Sequence, residues 1–362
     1  MTEMPQSHTP KPSLRAQWTS LLEEQPKLRI RNAALILGVS EAELLATQLG
    51  ETVHPLNGAW SEILEGLEEV GDVMALTRNN HAVHEKHGVY RNVSIDGPIG
   101  LVLDEEIDLR LFMHHWYAGF VVQQPLKSGW RRSLQFFNRY GQAVHKIFAT
   151  EHTDQDAWNA LVDRHRCAEP PVDLEWSTPP EQKAETPDDD IDVSGFQQAW
   201  IELQDTHEFF GMLRSFGVTR TQALRLAPEG LAWPVAPDSL RHTLETVAAR
   251  EVPIMVFVGS PGVIQIHSGP VERLVATGPW FNVLDPRFNL HLREDAIASA
   301  WAVRKPTVDG VVTSLELFDD EGRSIAMLFG KRKPGIPENT DWRACIDALP
   351  STHPSQGQEA HT

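Results

Sequence analysis

The stretch FQQAWIELQDTHEFFGMLRSF (Phe196 to Phe216) sets one histidine among aromatic residues at helical intervals. Phe196, Trp200, Leu203, Phe210 and Leu213 recur three and four residues apart, which predicts a single helix with one apolar face, and His207 falls on that face between Leu203 and Phe210. An imidazole held neutral in an apolar wall can ligate iron and bind the open face of a planar cofactor. The same position also suits a hydrogen-bonded core histidine. In DLRLF the alternation puts Asp108, Arg110 and Phe112 on one strand face and Leu109 and Leu111 on the other; the polar face is either solvated or receives a ligand. Arg220 follows the cap residue Thr219 at a predicted helix start, where free amides favour an anion, so its guanidinium is either part of a carboxylate site or solvated.

Other groups point less clearly to chemistry. His81, His84 and His87 crowd together in HAVHEKHG, but a strand sends His84 to the opposite face from the other two, and HEKHG lacks the H-E-x-x-H spacing of zinc proteases. A structural role is expected. The basic groups Arg131–Arg132 and Lys331–Lys333 read as solvated turns or as cations gathered on one cleft. Neither a Gly-rich phosphate loop nor a G-x-S-x-G nucleophile elbow is found, so serine hydrolysis has no support.

The elements that carry these residues occur twice. GPIGLVLDEEIDLRLF (Gly97 to Phe112) resembles GPWFNVLDPRFNLHLR (Gly278 to Arg293) at an offset of 181, and the same offset takes Gly129, Leu134, Phe137 and Gly141 onto Gly310, Leu315, Phe318 and Gly322. Arg110 therefore has His291 as its repeat mate. Alternation in LQFF and AVHKIFA, and again in SLELF and IAMLFG, with NRYG and DDEG between, predicts antiparallel hairpins that close each copy with a sheet. Ahead of each sheet lie helical stretches: Leu14 to Leu22, Asn32 to Leu37 and Glu41 to Leu49 in the first copy, Phe196 to Phe216 and Thr221 to Leu226 in the second. Ser40-x-x-Glu43 and Thr219-x-x-Gln222 are matching capping boxes. The expected class is α+β, a tandem duplication in which each half is a helical segment followed by a large antiparallel sheet. The expected boundaries are 13–176 for the first repeat, 177–195 for an acidic, proline-rich linker and 196–349 for the second repeat.

Composition narrows the function classes. At 362 residues, 41% apolar and 23% charged, the chain has the balance of a folded globular protein. A net charge of −18 opposes general binding to nucleic acid or to anionic membranes. No apolar run reaches the roughly 18 residues of a spanning helix, the first residues do not read as a secretion signal, and two cysteines form no framework, so a cytoplasmic protein is expected. LGVSEAELLATQL (Leu37 to Leu49) has the outline of a DNA-binding helix-turn-helix, but Glu41, Glu43 and Glu51 would repel phosphates.

The residues TRNNHAVHEKHGVY (Thr77 to Tyr90), DLRLF, DTHEFFGMLRSFGVTR (Asp205 to Arg220) and GPWFNVLD together resemble the bacterial cytoplasmic haem-utilisation proteins, the HemS-like or haemin-degrading factor family. The likeness runs from about Ser13 to Leu349 and includes the duplication. It implies one haem b (iron protoporphyrin IX) in a cleft between the two halves, with His207 as proximal iron ligand and Arg110 as distal, catalytic residue. Phe112 and Phe257 would pack on the porphyrin, and Arg220, Lys305 and Arg332 would meet its propionates. Met327 and Phe329 would line the distal pocket where the family usually carries Gln and Tyr. Some relatives have further histidines after the proximal one; here Glu208, Phe209 and Phe210 follow.

The resemblance implies a haem carrier, with a haem-uptake ABC transporter or a downstream haem oxygenase as partner. The alternative is an enzyme that opens the porphyrin oxidatively with electrons from an external donor. The loss of the Gln and Tyr pair favours the carrier. Nucleic acid is not an expected partner, and His81, His84 and His291 are the next candidates for the iron ligand.

Overall fold

A computed structural model describes residues 12–127, 129–169, 174–182, 184–333 and 335–352. The first half runs α1 (Leu14–Glu24), α2 (Ile30–Leu37), α3 (Glu41–Ala46), β1 (Val53–Pro55), α4 (Trp60–Val70), β2 (Gly71–Arg78), β3 (Ala82–Gly88), β4 (Ser94–Asp96), β5 (Ile99–Leu103), β6 (Asp108–Phe112), β7 (Ala118–Leu126), β8 (Gly129–Phe137), β9 (Ala143–Thr153) and α5 (Gln155–His165). The second repeats that series as α6 (Val193–Ile201), α7 (Glu208–Phe216), α8 (Arg220–Arg225), β10 (Ala232–Val235), α9 (Ser239–Ala249), β11 (Ile254–Gly259), β12 (Val263–Gly269), β13 (Leu274–Thr277), β14 (Trp280–Asp285), β15 (Phe288–Arg293), β16 (Ser299–Lys305), β17 (Val312–Phe318), β18 (Ser324–Gly330) and α10 (Thr340–Asp347). Both capping boxes form, at Ser40–Glu43 and at Thr219–Gln222. The paired turn glycines Gly129 and Gly310 sit at φ +120° and +107°, a conformation that side chains disfavour, which is why the offset of 181 conserves glycine there.

The sheets are assembled across the duplication. One has the order β1-β7-β8-β9-β2-β3-β15-β14-β13 and the other β10-β16-β17-β18-β11-β12-β6-β5-β4. Each half therefore lends three strands to the sheet of the other. The joints are antiparallel pairings of β3 with β15 and β12 with β6, with Leu290 opposite His84 and Arg110 opposite Ile264.

Two pseudo-equivalent cores lie on the inner faces. Ile63, Leu64 and Leu67 of α4 and Trp158 of α5 pack with Phe136, Ile147 and the lent-strand residues Leu109 and Leu111. Leu240 and Leu244 of α9 and Trp342 of α10 pack with Leu315, Leu328 and Leu290. The terminal helices α5 and α10 correct the expectation that each copy closes with a sheet. A sheet buried on its inner face needs a covering layer there, and these helices supply part of it.

The remaining helices cover only one end of each outer face. α6 to α8 bury Phe196, Trp200 and Phe209 against Val303 and Phe318. Around α3, Ala42 and Leu45 meet Phe120, Val122 and Phe137. The helix-turn-helix outline fails for the same reason: α3 spans six residues and buries Ala42, Leu44 and Leu45, leaving no exposed recognition helix. Neither cysteine is bridged. No helix among the described residues is long and apolar enough to cross a membrane.

An isolated half would expose the edges that its partner half covers, and a second copy of itself offers the matching strands. Residues 184–352 expressed alone should therefore form a two-fold dimer by light scattering after size exclusion; a stable folded monomer would contradict the strand exchange as an energetic requirement.

Candidate functional site

Beyond α6 to α8 the outer face of the second sheet is open, and its residues can be placed by register. Glu316 pairs with Met327, Met327 with Phe257, and Phe257 with Ile266; Ile264 pairs with Arg110, and Arg110 with Leu101. Directly paired residues of antiparallel strands share a face, so these side chains form one mainly apolar surface. Phe329 stands edge-on to Phe257 with ring centroids 5.0 Å apart. Phe112, half-buried, ends β6 at the far side.

Arg110 reaches this surface because β6 crosses from the first half. The predicted alternation holds, with Leu109 and Leu111 fully buried and Asp108, Arg110 and Phe112 half-buried. Arg110 donates to the Asp108 carboxylate on the same face and keeps 32% of its side chain exposed. Burial raises the Asp108 carboxyl, and the neighbouring Arg110 charge opposes that rise.

His207 does not lie where the apolar stripe predicts. The expected single helix over Phe196 to Phe216 is two, α6 and α7, and His207 is the residue immediately before α7. The break has a local cause. The Asp205 carboxylate accepts the His207 amide at 2.8 Å and the ring Nδ1–H at 2.6 Å, while the Glu208 carboxylate accepts the amides of Gln204 and Asp205 at 2.9 and 3.2 Å. Side chains that satisfy backbone donors in this way start a new helix rather than continue the old one. The pattern Asp205-x-x-Glu208 is the sequence signal for it.

The interruption shifts the helical phase. Phe209, off the predicted stripe, is 1% exposed, and Phe210, on it, is 69% exposed. His207 has 85% of its side chain exposed, so the ring faces solvent rather than an apolar wall and is no core histidine either. With Nδ1 donating to Asp205, the lone pair of the neutral ring sits on Nε2. The His207 amide, and then its ring, hold the Asp205 carboxyl below the usual range. His207, Phe210 and Arg214 follow at helical spacing, which puts the imidazole one turn ahead of Phe210 on the same side of α7. That side borders a cavity of about 400 Å³ lined by Phe210, Leu213, Val218, Arg220 and Met327.

The three cations expected at the propionates divide into two kinds. Arg220 and Lys305 are not free at a rim, because both are paired with Glu316. Arg220 makes a forked contact to its carboxylate at 2.9 and 2.7 Å, and Lys305 Nζ donates to it at 2.9 Å. Glu316 is fully buried and Lys305 is 2% exposed. Burial pushes the Glu316 carboxyl up, but Arg220 and Lys305 more than reverse this and hold it well below the ordinary range. Lys305 must share that one carboxylate with Arg220, so its burial prevails and lowers its pKa to about 8. Both cations also cap the Phe209 ring, each 4.7 Å from its centroid, which ties α7 to the sheet.

Arg332 is different. Its Nη1 is buried and forms no hydrogen bond, its ion-pair partner being the Asp309 carboxylate at 3.7 Å.

The other histidines behave as structural residues. His84 is fully buried and points to the opposite face from His87, as predicted. It packs on Phe288, on whose other contact His267 stacks at 3.8 Å. His291 is held by Asn282 at 2.7 Å on the first sheet, remote in register from Arg110. Among the described residues no cluster of three or more potential ligands could hold a bare metal ion. A cavity of about 770 Å³ lies between the halves, lined by residues such as Arg31, Arg78, His81, Trp176 and Asp319; of the predicted candidates it holds only the reserve ligand His81. Asp205 and Glu316 are candidate-site residues that reading the sequence did not single out, and Phe210 was read only as part of the buried apolar stripe.

Comparison with known proteins gives a consistent picture. A family model described as the haemin-degrading HemS.ChuX domain matches residues 38–165 and 217–349. The chain is 40% identical over 339 residues to the hemin transport protein HmuS of Yersinia pestis, covering 93% of this chain and 97% of that protein. Holo-PhuS, a heme-binding protein from Pseudomonas aeruginosa, superposes with a TM-score of 0.91 at 45% identity, covering 93% of this chain and 98% of that one. The heme degrading enzyme ChuS of Escherichia coli O157:H7 superposes with a TM-score of 0.87 at 38% identity, with the same coverage of 93% and 98%.

The Glu316 cluster generates a stability test. Removing the carboxylate strands the buried Lys305 and the half-buried Arg220, so Glu316→Gln should cost about 3 kcal/mol of unfolding free energy in urea. Because the folded carboxyl titrates far below the unfolded one, its contribution is complete at neutral pH and is lost as pH falls below about 4.3. The variant should show a flatter acid limb than wild type, and equal slopes would refute the role given to this carboxylate.

Proposed function

We propose, from the premise that the chain belongs to the haemin-degrading HemS.ChuX family, that it binds one haem on the open outer face of the second sheet and hands it on as cargo. The observation that carries this reading is the pairing of an exposed, Asp205-held imidazole with the exposed ring of Phe210 beside an apolar sheet surface. Haem is a flat apolar disc with two carboxylates at one edge, and it wants an imidazole, apolar walls and cations at the rim.

The residues present fit such a cargo. His207 would hold the iron through Nε2, oriented by Asp205 as second partners orient metal-binding histidines. Phe112, Phe257, Met327 and Phe329 would supply the apolar floor, and Phe210 an edge. Arg332, whose Nη1 makes no hydrogen bond and only a long ion pair to Asp309, would take a propionate. Arg220 and Lys305, engaged by Glu316, would support the floor under Phe209 rather than bind carboxylates. Arg110 would stand on the distal side, its fork steadied by Asp108, able to donate hydrogen bonds without ligating.

The carrier role rests on two features. Met327 and Phe329 offer no proton to distal chemistry, and a histidine in an exposed turn is reachable by an acceptor. Haem b is the cargo that a protoporphyrin-sized apolar face suits, and a cytoplasmic haem-uptake ABC transporter or haem oxygenase would be the neighbour in the relay. The likeness to a heme degrading enzyme keeps a second reading open, in which bound iron supplies redox chemistry, an external donor supplies electrons and Arg110 orients oxygen.

Haemin titration tests the reading directly. We expect about one equivalent at saturation. His207→Ala should shift the Soret maximum and weaken binding by more than about tenfold, and Asp205→Ala by about tenfold. An unmoved spectrum in His207→Ala would transfer the ligand elsewhere. Adding reductant to the complex separates the two roles: a carrier shows only bleaching that catalase suppresses, whereas catalase-insensitive turnover to a ring-opened pigment would establish the enzyme.

A further inference from the structure

The duplication makes a second cleft, on the open face of the first sheet, and its chemistry is inverted. At the offset of 181, Met327 is replaced by Lys146, Phe257 by Leu76, Ile266 by Glu85, Glu316 by Gln135 and Arg110 by His291. At the offset of 179 that relates the capping boxes, His207 becomes Leu28, Phe210 becomes Arg31 and Arg220 becomes Glu41. The ion pair is thus reversed, with Lys146 of β9 on Glu41 of α3. The exposed aromatic of the second half is a guanidinium in the first, and the imidazole ahead of it is gone.

What results is a cavity of about 1040 Å³ with a strong excess of positive charge. Seven cations line it, Lys27, Arg29, Arg31, Arg78, Arg131, Lys146 and Arg293, against two acids, Glu41 and Glu85. Lys146 occupies Glu41, and Arg293 is engaged by Asp295. No ion pair is found among the described residues for Arg29, Arg31, Arg78 or Arg131, although the chain as a whole carries −18. Arg78 makes one weak contact, from Nε to the Asn79 carbonyl at 3.3 Å, and Arg31 donates to Asn80. Burial lowers the Arg78 pKa to about 10, with the Arg31 and Arg29 charges adding to the fall and Glu41 opposing it. Burial likewise lowers Arg31. Arg31 and Arg78 are partly desolvated and Arg29 and Arg131 exposed, and like charges held together in this way without an ion-pair partner are costly unless an anion joins them.

We infer that this first-half cleft is a second ligand site, built for a small, multiply charged oxyanion bearing phosphate or carboxylate groups and not for haem. Arg29, Arg31 and Arg78 are its anchoring cations, with Arg131 on the sheet opposite. Its size is that of a small-molecule pocket. The site is independent of the haem reading, since it shares no residue with the second-half face.

Calorimetry on the full chain at fixed ionic strength tests it, with pyrophosphate and citrate as probes and chloride as control. One or both should bind at a single site, and which one binds identifies phosphate or carboxylate as the preferred chemistry. Arg78→Gln and Arg31→Gln should each weaken that binding by about tenfold or more while the haemin titration and the thermal melting profile stay as in wild type. Failure of both probes at millimolar concentration in the folded wild-type chain would overturn the inference. So would a second haem equivalent that Arg78→Gln abolishes, or an oligonucleotide that binds there with a steep salt dependence while neither small anion does.

Discussion

The pairing of β6 with β12, and of β15 with β3, is the constraint on which the rest of the molecule depends. Backbone hydrogen bonds in a sheet fix the position of a strand to within one residue, because a slip of one would turn Leu109 and Leu111 out of the core and Arg110 into it. The joint therefore decides which side chains of the first half appear on the second-half face. Arg110 and Phe112 stand opposite α7 not because the halves dock side by side but because three strands change sheets. The packing follows the same path: Leu109 and Leu111 remain in the core of their own half while their backbone belongs to the other sheet.

This arrangement makes each outer face a composite, and duplication then allows the two faces to differ. The inner faces have little freedom, since Leu134 and Leu315, or Phe136 and Leu317, fill equivalent buried positions. The outer faces have more. On one, Glu316 gathers Arg220 and Lys305 beneath Phe209, so both cations are engaged below a greasy surface. On the other, Gln135 takes the place of the central carboxylate, and cations collect with too few acids to match them. Three changes mark the divergence, Arg220 to Glu41 on the helix and Glu316 to Gln135 and Met327 to Lys146 on the sheet, and they move the acid of the ion pair from sheet to helix.

Much of the fold was legible because it rests on signals that are local and repeat. The offset of 181 follows from turn glycines and alternating strands, and both capping boxes follow from residue pairs three apart. Strand exchange was not legible, since nothing in the alternation of DLRLF says whether its neighbour is β5 of its own half alone or also β12 of the other. Within the site, the strand residues Asp108, Arg110 and Phe112 were placed correctly by period-two alternation. Arg220 was read as a free cation because Glu316, its partner ninety-six residues away, is invisible to local patterning. His207 was assigned to a helix face by a stripe that ignored the Asp205 and Glu208 carboxylates, which compete with the helix for backbone amides.

That local competition has a consequence for how cargo could be exchanged. Had α6 run on into α7, the imidazole would have been fixed on the stripe that contains Leu203 and Leu213, where reaching it requires opening a core. The turn instead lifts His207 and Phe210 to the surface while Phe209, pinned between Arg220 and Lys305, keeps the start of α7 anchored. On the proposed reading, an exposed imidazole on an anchored helix would meet a planar guest and release it without unfolding anything. The cost is that water also reaches the imidazole, and on that reading the apolar side chains Met327 and Phe329 of the sheet would keep the guest's inner face dry.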